Sequence, residues 1–174
     1  NGGNLTIRGN FINEGNFIHN EGTVVFKGNE LQRISGNINF YNISFENTYT
    51  GDSDIEVSDS VSITNSAEFI SGIVYYSDAG IINFLNGSTC SEYSHNSFIN
   101  GSVIKTGTNA FTFPIGKNGT LASIGISEAA PGGSVSDYFT AEYFNSNPGE
   151  TYNATSLDLL HHISSSEYWM LNRT

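Results

Sequence analysis

The sequence has 174 residues, of which 17 are acidic and 6 are basic, so its net charge is −11 at pH 7. A charge of this sign argues against nucleic-acid binding, because nucleic acids are bound by basic surfaces that displace counterions. The single cysteine, Cys90, excludes an intrachain disulfide and a multi-cysteine metal site, and no apolar run reaches the length of a membrane span. We therefore expect no nucleic-acid partner and no membrane insertion.

From the amino end, short strand-forming runs end at Gly9, Gly15, Gly22 and Gly28, six or seven residues apart. The runs NFINEG and NFIHNEG are nearly identical, and three such segments make a coil of about 20 residues, the size of one β-solenoid turn. This spacing predicts an all-β chain with a parallel β-solenoid (β-helix) over residues 1–107, with Asn or Gly at the corners. An antiparallel meander is the alternative, although two-residue hairpin turns are scarce between the early strands.

The solenoid prediction assigns an inward or an outward direction to particular side chains. Alternation along each short strand places one set of side chains inside the coil. We expect Glu14 and Glu21 to face water at equivalent corners. The side chains that we expect to be buried are Phe11, Phe17, Val25, Ile34, Ile43 and Ile63.

The pattern changes after Gly107, where strands lengthen and loops contain proline. The stretch FTFPIGKNG, the alternating run DYFTAEYF and the final EYWML predict an antiparallel β-sandwich over residues 108–174. Leu157–Ile163 fits a short helical turn or a strand equally well. Because the chain starts inside a repeat and stops early in the sandwich, we expect the sandwich to be incomplete and both ends to be continued by the same long chain or by neighbouring copies.

Four stretches, taken in order, carry a resemblance to a known family. They are GTVVFKGNELQRISG, FYNISFEN, INGSVIKTGTNAFTFPIGKNG and EYWMLNRT. Together they resemble solenoid-plus-sandwich modules of very large, adhesin-like surface proteins of the Bacteroidetes, many of which are exported by type IX secretion. The resemblance implies a cell-surface or extracellular location and a structural role in a stalk, adhesin or fibre. It brings no catalytic motif with it.

Alternating acidic residues in TGDSDIE form a candidate metal site. Asp52, Asp54 and Glu56 precede a strand, and carboxylate oxygens in a turn are suitable ligands for calcium. The alternative is a solvated acidic turn that blocks edge pairing. Calcium is the one cofactor that the sequence suggests.

No residues form a convincing catalytic group, and we predict that the protein is not an enzyme. Glu14 and Glu21 repeat with the coil, whereas a glycosidase needs a carboxylate pair with separated roles. Of the histidines, His161 and His162 are adjacent and point to opposite faces of a strand. His19 and His95 lie in polar corners, where we expect surface roles.

Two further interpretations concern glycans. Adjacent aromatic residues, as in Tyr75–Tyr76 and Tyr138–Phe139, leave one ring outward, so a carbohydrate-binding module is the alternative function and surface glycans are candidate partners. An exposed aromatic row on one side of the solenoid would favour it.

The triplet Asp59-Ser60-Val61 resembles the O-glycosylation signal of exported Bacteroidetes proteins, which makes Ser60 a candidate modification site.

Overall fold

The computed structural model describes residues 2–50, 54–128, 134–149 and 164–174. Leu157–Ile163, for which the sequence left helix and strand open, lies outside these ranges. In the described part every regular element is a strand. The strands are β1 (Asn4–Ile7), β2 (Phe11–Ile12), β3 (Thr23–Phe26), β4 (Gln32–Ser35), β5 (Ile38–Glu46), β6 (Ile55–Val57), β7 (Ser60–Ser71), β8 (Val74–Tyr76), β9 (Ile81–Phe84), β10 (Thr89–Ser91), β11 (Ile99–Asn100), β12 (Val103–Thr106), β13 (Phe111–Phe113), β14 (Gly116–Lys117), β15 (Thr120–Leu121), β16 (Ile124–Ile126), β17 (Tyr138–Phe144) and β18 (Tyr168–Arg173).

Strands β1 to β12 coil into three parallel stacks. Stack 1 contains β1, β3, the second halves of β5 and β7, and β10. Stack 2 contains β2, β4, β6, β8 and β11. Stack 3 contains the first halves of β5 and β7, with β9 and β12. A register shift between Phe40 and Asn42 separates the two halves of β5. The chain therefore forms a parallel β-solenoid of about four turns, as the spacing predicted.

The length of a turn follows from the pairing register. Asn4 lies beside Thr23 and Thr23 beside Asn42, which are steps of 19 residues. The corners use backbone with positive φ, as at Gly36, where φ is 100° and a Cβ atom would collide with the carbonyl oxygen of Asn13. Only glycine adopts such a corner without steric cost.

Phenylalanine rings fill the inside of the coil in register. Phe26, Phe45 and Phe69 occupy equivalent positions of successive turns in stack 1 and are fully buried. The ring centroids of Phe45 and Phe69 are 5.0 Å apart, and those of Phe26 and Phe45 are 6.4 Å apart. These rings form a continuous ladder along the solenoid axis, here called the phenylalanine ladder.

The structure confirms most of the predicted side-chain directions and corrects one. Ile34, Ile43 and Ile63 are buried, and Glu14 and Glu21 are exposed. The remaining three predictions concern half-buried side chains, namely Phe11, Phe17 and Val25.

Phe11 and Phe17 are half-buried because they belong to the first turn, and both rings pack against Phe40. The inward prediction for Val25 is wrong. Val24 and Phe26 take the inward positions of β3, so the intervening Val25 faces outward.

After β12 the pairing becomes antiparallel. β17 pairs with β12, β18 pairs with β17, and β13–β16 and β14–β15 form two small sheets. The antiparallel strands are thus present, but β17 and β18 extend the solenoid sheet, and two face-to-face sheets are not evident in the described ranges. The sandwich therefore stays a prediction. The domain boundary at residue 107 also stays one, since Phe111, Phe113 and Ile115 belong to the same core cluster as the solenoid.

Candidate functional site

Buried amide side chains connect successive turns at one corner of the solenoid. Gln32 donates from Nε2 to the carbonyl oxygens of Ile7 and Gly9, at 3.0 and 2.9 Å. Asn47 donates from Nδ2 to Gln32 Oε1 at 3.0 Å and to the Glu30 carbonyl oxygen at 2.8 Å. Both side chains are buried. We call Gln32 and Asn47 the amide ladder, because they bond three successive turns to one another.

The predicted calcium ligands are only partly within the described residues. Asp52 lies outside them. Asp54 is buried, its Oδ2 accepts a hydrogen bond from the Ile73 N–H at 2.6 Å, and burial raises the pKa of its carboxyl group. A cluster of three or more His, Cys, Asp or Glu side chains able to hold a metal is not found in the described ranges.

Glu56, the third predicted ligand, is bonded to protein groups. Its Oε1 accepts from the Ser77 hydroxyl at 2.7 Å, and its Oε2 accepts from Arg33 Nε at 3.1 Å. The hydroxyl and then the guanidinium lower the pKa of Glu56. Calcium would have to compete with these donors, and the site stays a prediction.

Ser60 is exposed at the first position of β7, which confirms the accessibility that modification requires. Its neighbour Asp59 organises a corner: Oδ2 accepts from the Gly36 N–H at 2.8 Å and from the hydroxyls of Ser35 and Ser58 at 3.1 Å each. These donors, with the Gly36 N–H first, lower the pKa of Asp59. Asp59 thus has a structural role of its own, and modification of Ser60 stays a prediction.

A polar groove of about 340 Å³ runs along the outer face of stack 1. In it, Asn42 Nδ2 donates to Thr23 Oγ1 at 3.3 Å, and Glu46 accepts from Lys27 Nζ at 2.7 Å. Glu68, on the neighbouring strand, is exposed. Most polar groups of the groove thus bond to the adjacent turn, which makes the groove part of the stacking.

Lys105 is a buried cation that the sequence analysis did not single out. Its Nζ donates to the carbonyl oxygens of Leu85 and Ser88, at 2.6 and 3.2 Å, and lies 5.2 Å from the centre of the Phe111 ring. Burial lowers the pKa of Lys105 to about 8. Burial also raises the pKa of the nearby Cys90 thiol to about 12, so this cysteine is a weak nucleophile.

The two histidines within the described residues, His19 and His95, each accept a hydrogen bond from a backbone N–H group. His19 Nδ1 accepts from the Glu21 N–H at 3.0 Å, and His95 Nδ1 accepts from the Leu121 N–H at 3.2 Å. Both lie at corners of the coil, as the sequence indicated, whereas His161 and His162 lie outside the described residues.

Exposed aromatic side chains lie at the carboxyl end of the sheet. Among the described residues, the exposed ones are Tyr138 in β17 and Trp169 in β18. Tyr75 and Tyr76 are both partly buried. An exposed aromatic row along one side of the solenoid is therefore not seen in the described ranges.

Within the part of the chain that the structure describes, β1 is the outermost strand at one edge of the nine-stranded sheet. Backbone N–H groups from the neighbouring turn donate to the carbonyl oxygens of Gly3 and Ile7, at 3.1 and 2.9 Å. Alternate residues of a strand bond to opposite sides, so the backbone groups of Asn4 and Thr6 point away from β3. Leu5 is 45% exposed.

Among the described strands, β18 forms the other edge of this sheet. Thr174 exchanges two backbone hydrogen bonds with Tyr138, at 3.0 and 3.1 Å. By the same alternation, the backbone groups of Trp169, Leu171 and Arg173 point away from β17. Trp169 and Leu171 are 41% and 40% exposed. We call the two sites the β1 edge and the β18 edge.

The comparisons identify no relative of this chain. No protein-family model, no curated protein and no solved structure matches it. A search of the described residues for a helix long and apolar enough to cross a membrane finds none.

Proposed function

We propose that the chain is a non-enzymatic structural module of an extracellular or cell-surface stalk, adhesin or fibre. The observation that carries the proposal is the unbroken path of eight hydrogen-bonded strands from the β1 edge to the β18 edge. The location outside the cell rests on the family resemblance of the sequence. In this function the module is a stiff spacer that holds the segments at its two ends a fixed distance apart.

The internal contacts support a stiffening role. The phenylalanine ladder packs turn against turn inside the coil, and the amide ladder bonds three turns at a corner. A buried polar network with every member satisfied fixes one arrangement of the chain. Within the described residues, no buried side-chain nitrogen or oxygen lacks a hydrogen-bond partner.

The spacer function is tested by measuring the distance between the ends of the module. The path of eight strands contains seven steps of about 4.8 Å, so the two edges are separated by about 34 Å along the axis. Spin labels on Thr6→Cys and Asn172→Cys, with Cys90→Ser, place a label on each edge strand. Pulsed electron resonance on dilute, monomeric protein should give one narrow distance distribution with its mean at or above that separation.

A broad distribution would mean that the turns move against one another and would contradict the spacer function. The matched control carries labels on Thr6→Cys and Ser44→Cys, which lie two turns apart in the same stack. Its narrow, short distance reports the width that the labels themselves contribute.

The alternative, a carbohydrate-binding module, is favoured by the polar groove on stack 1. Hydroxyl, amide and carboxylate groups line it, including the exposed Glu68. A glycan array is the direct test. Binding of one glycan class that Glu68→Gln abolishes would favour the alternative, whereas Glu14→Gln, an exposed acid on a distant corner, is the control.

We also propose that Ser60 carries an O-glycan, because the proposed surface location would expose the chain to the glycosylation of exported proteins. Intact-mass analysis of protein isolated from its native source should show an added glycan that Ser60→Ala removes. Native protein with an unmodified Ser60 would contradict this part of the proposal.

A further inference from the structure

We propose that a cavity at one corner of the solenoid binds an organic ammonium group, with Asp54 as its anionic partner. The group is that of a free alkylamine or of a lysine side chain on another protein, and both present the same chemistry to the cavity. The inference is independent of the spacer function, because it concerns one corner of the coil and not its length or stiffness.

The cavity has a volume of about 440 Å³ and lies where the chain leaves the strands of stack 1. Three successive turns line it, and backbone hydrogen bonds join them there. The Asn47 N–H donates to the Ser71 carbonyl oxygen, and the Gly72 N–H donates to the Asn96 carbonyl oxygen, each at 3.1 Å. The walls are thus held by the stacking of the coil, and the cavity is already formed without a ligand.

Asp54 supplies the negative charge of the cavity. It is 8% exposed, and its Oδ2 accepts from the Ile73 N–H at 2.6 Å. Its Oδ1 has no hydrogen-bond partner among the described residues. Every fully buried side-chain oxygen in this part of the chain does have one, so Oδ1 is the oxygen that the cavity reaches. A carboxylate so deeply buried is costly unless a partner compensates its charge.

The described part of the chain offers Asp54 no positive partner. Each of the three ion pairs found there uses a different acid. His95 lines the same cavity, but its Nδ1 accepts from the Leu121 N–H at 3.2 Å, so its imidazole is neutral in this arrangement. Burial raises the pKa of Asp54, as expected for a carboxylate held without a counter-charge. The net charge of −11 favours the approach of a cation from outside.

The lining favours an organic cation over a metal ion. Calcium takes about six to eight oxygen ligands, whereas Asp54 has one free oxygen, and a group of three or more metal-binding side chains is not found in the described ranges. An ammonium group needs fewer contacts, namely a charge-assisted hydrogen bond to Oδ1 and an aromatic ring beside the charge. Tyr49, which is half-buried, supplies a ring in the same cavity.

The test is a titration of the whole chain, labelled with nitrogen-15, with butylammonium chloride at about pH 8, where an alkylamine stays charged. The N–H of Ile73 is the reporter, because it is bonded to Asp54, and its nuclear magnetic resonance signal should shift until the site is saturated. 1-Butanol has the same alkyl chain without the charge and should cause no shift.

A second probe distinguishes the two sources of the ammonium group. It is lysine with its amino and carboxyl ends blocked, titrated in the same way. Tighter binding of blocked lysine than of butylammonium would assign the site to a lysine side chain of a partner protein. Equal or weaker binding would assign it to free alkylamines.

Asp54→Asn removes the charge and keeps an oxygen for the Ile73 N–H, so this variant should fold and lose butylammonium binding. Glu14→Gln is the matched control, since it removes one negative charge from an exposed position and should bind as the wild type does. Tyr49→Leu removes the ring and should weaken binding about two- to fivefold. This third variant keeps the test decisive even if Asp54→Asn does not fold.

Four results would overturn the inference. They are no shift with butylammonium, equal shifts with 1-butanol, unchanged binding by folded Asp54→Asn, and unchanged binding by Tyr49→Leu. Calcium chloride that shifts the Ile73 signal at a lower concentration than butylammonium does would likewise overturn it, in favour of a metal site. The distance between spin labels at the two ends depends on none of these results, so the spacer function stands or falls separately.

Discussion

Replacement of Phe45 by alanine tests whether the phenylalanine ladder holds the turns together. Phe45 is fully buried, and its ring lies between those of Phe26 and Phe69 in the turns before and after it. The backbone ladders hold neighbouring turns about 4.8 Å apart, so the cavity left by the ring cannot collapse. We expect the free energy of unfolding to fall by about 3–5 kcal/mol.

The assay is denaturation in guanidinium chloride with two probes. Far-ultraviolet circular dichroism reports all strands, while the single tryptophan, Trp169, reports the β18 end. Coincident transitions would show that the chain unfolds as one cooperative unit. A difference in the free energy of unfolding between variants is defined only for such two-state unfolding. Ile70→Ala is the control, since this half-exposed neighbour of Phe69 should cost less than about 0.5 kcal/mol. A loss below about 1 kcal/mol for Phe45→Ala, or equal losses for both variants, would refute the ladder as a main source of stability.

Two other predictions concern the buried side chains of Asn47 and Lys105, and a third concerns the predicted calcium site. Asn47→Ala leaves the buried side-chain oxygen of Gln32 without its donor and should lower the free energy of unfolding by about 1–3 kcal/mol in the same assay. Burial lowers the pKa of Lys105 to about 8, whereas the unfolded chain keeps about 10.4, so the unfolded state binds more protons between these values. The stability of the wild type relative to Lys105→Met should therefore rise from pH 8 towards pH 10, and a fall over this range would contradict the assignment. If calcium binds, it should raise the midpoint of thermal unfolding, and Asp52→Asn and Glu56→Gln should remove this rise; calorimetric titration without heat of binding would exclude the site.

The coil could be predicted from the sequence because glycines divide its first residues into short segments of regular length. The glycines at six- or seven-residue intervals indicated three sides per turn. The observed step is 19 residues from Asn4 to Thr23, close to the predicted 20, and lengthens to 24 from Phe45 to Phe69. The direction of Val25 was harder, since β3 contains two adjacent valines and local alternation fits either one. Phe26 decides it: a phenylalanine inside places Val24, two residues earlier, inside as well.

Buried polar residues were missed because residue type alone places them on the surface. Lys105 lies two residues after Val103 and Gln32 two residues before Ile34, so alternation puts both side chains inside the coil. What sequence could not supply was the set of carbonyl oxygens that satisfies them. Those acceptors lie about 20 residues away on the neighbouring turn and become partners only once the register is known.

The carboxyl-terminal strands show a different limit. DYFTAEYF and EYWML were correctly predicted as strands, but a strand pattern does not identify its partner. The structure pairs β17 with β12, so these strands lengthen the solenoid sheet.

The short period of the coil has a consequence for how the protein is made. Each solenoid strand pairs with one about 20 residues earlier, as Thr23 does with Asn4, so a nascent chain can add a turn as soon as that many residues have emerged. Closing a loop of about 20 residues costs less chain entropy than closing a longer one. β17 and β18 depend on longer separations, as between Val103 and Ala141, and should form last. Synthesis from the amino end would thus keep each growing strand edge covered by the next turn within seconds.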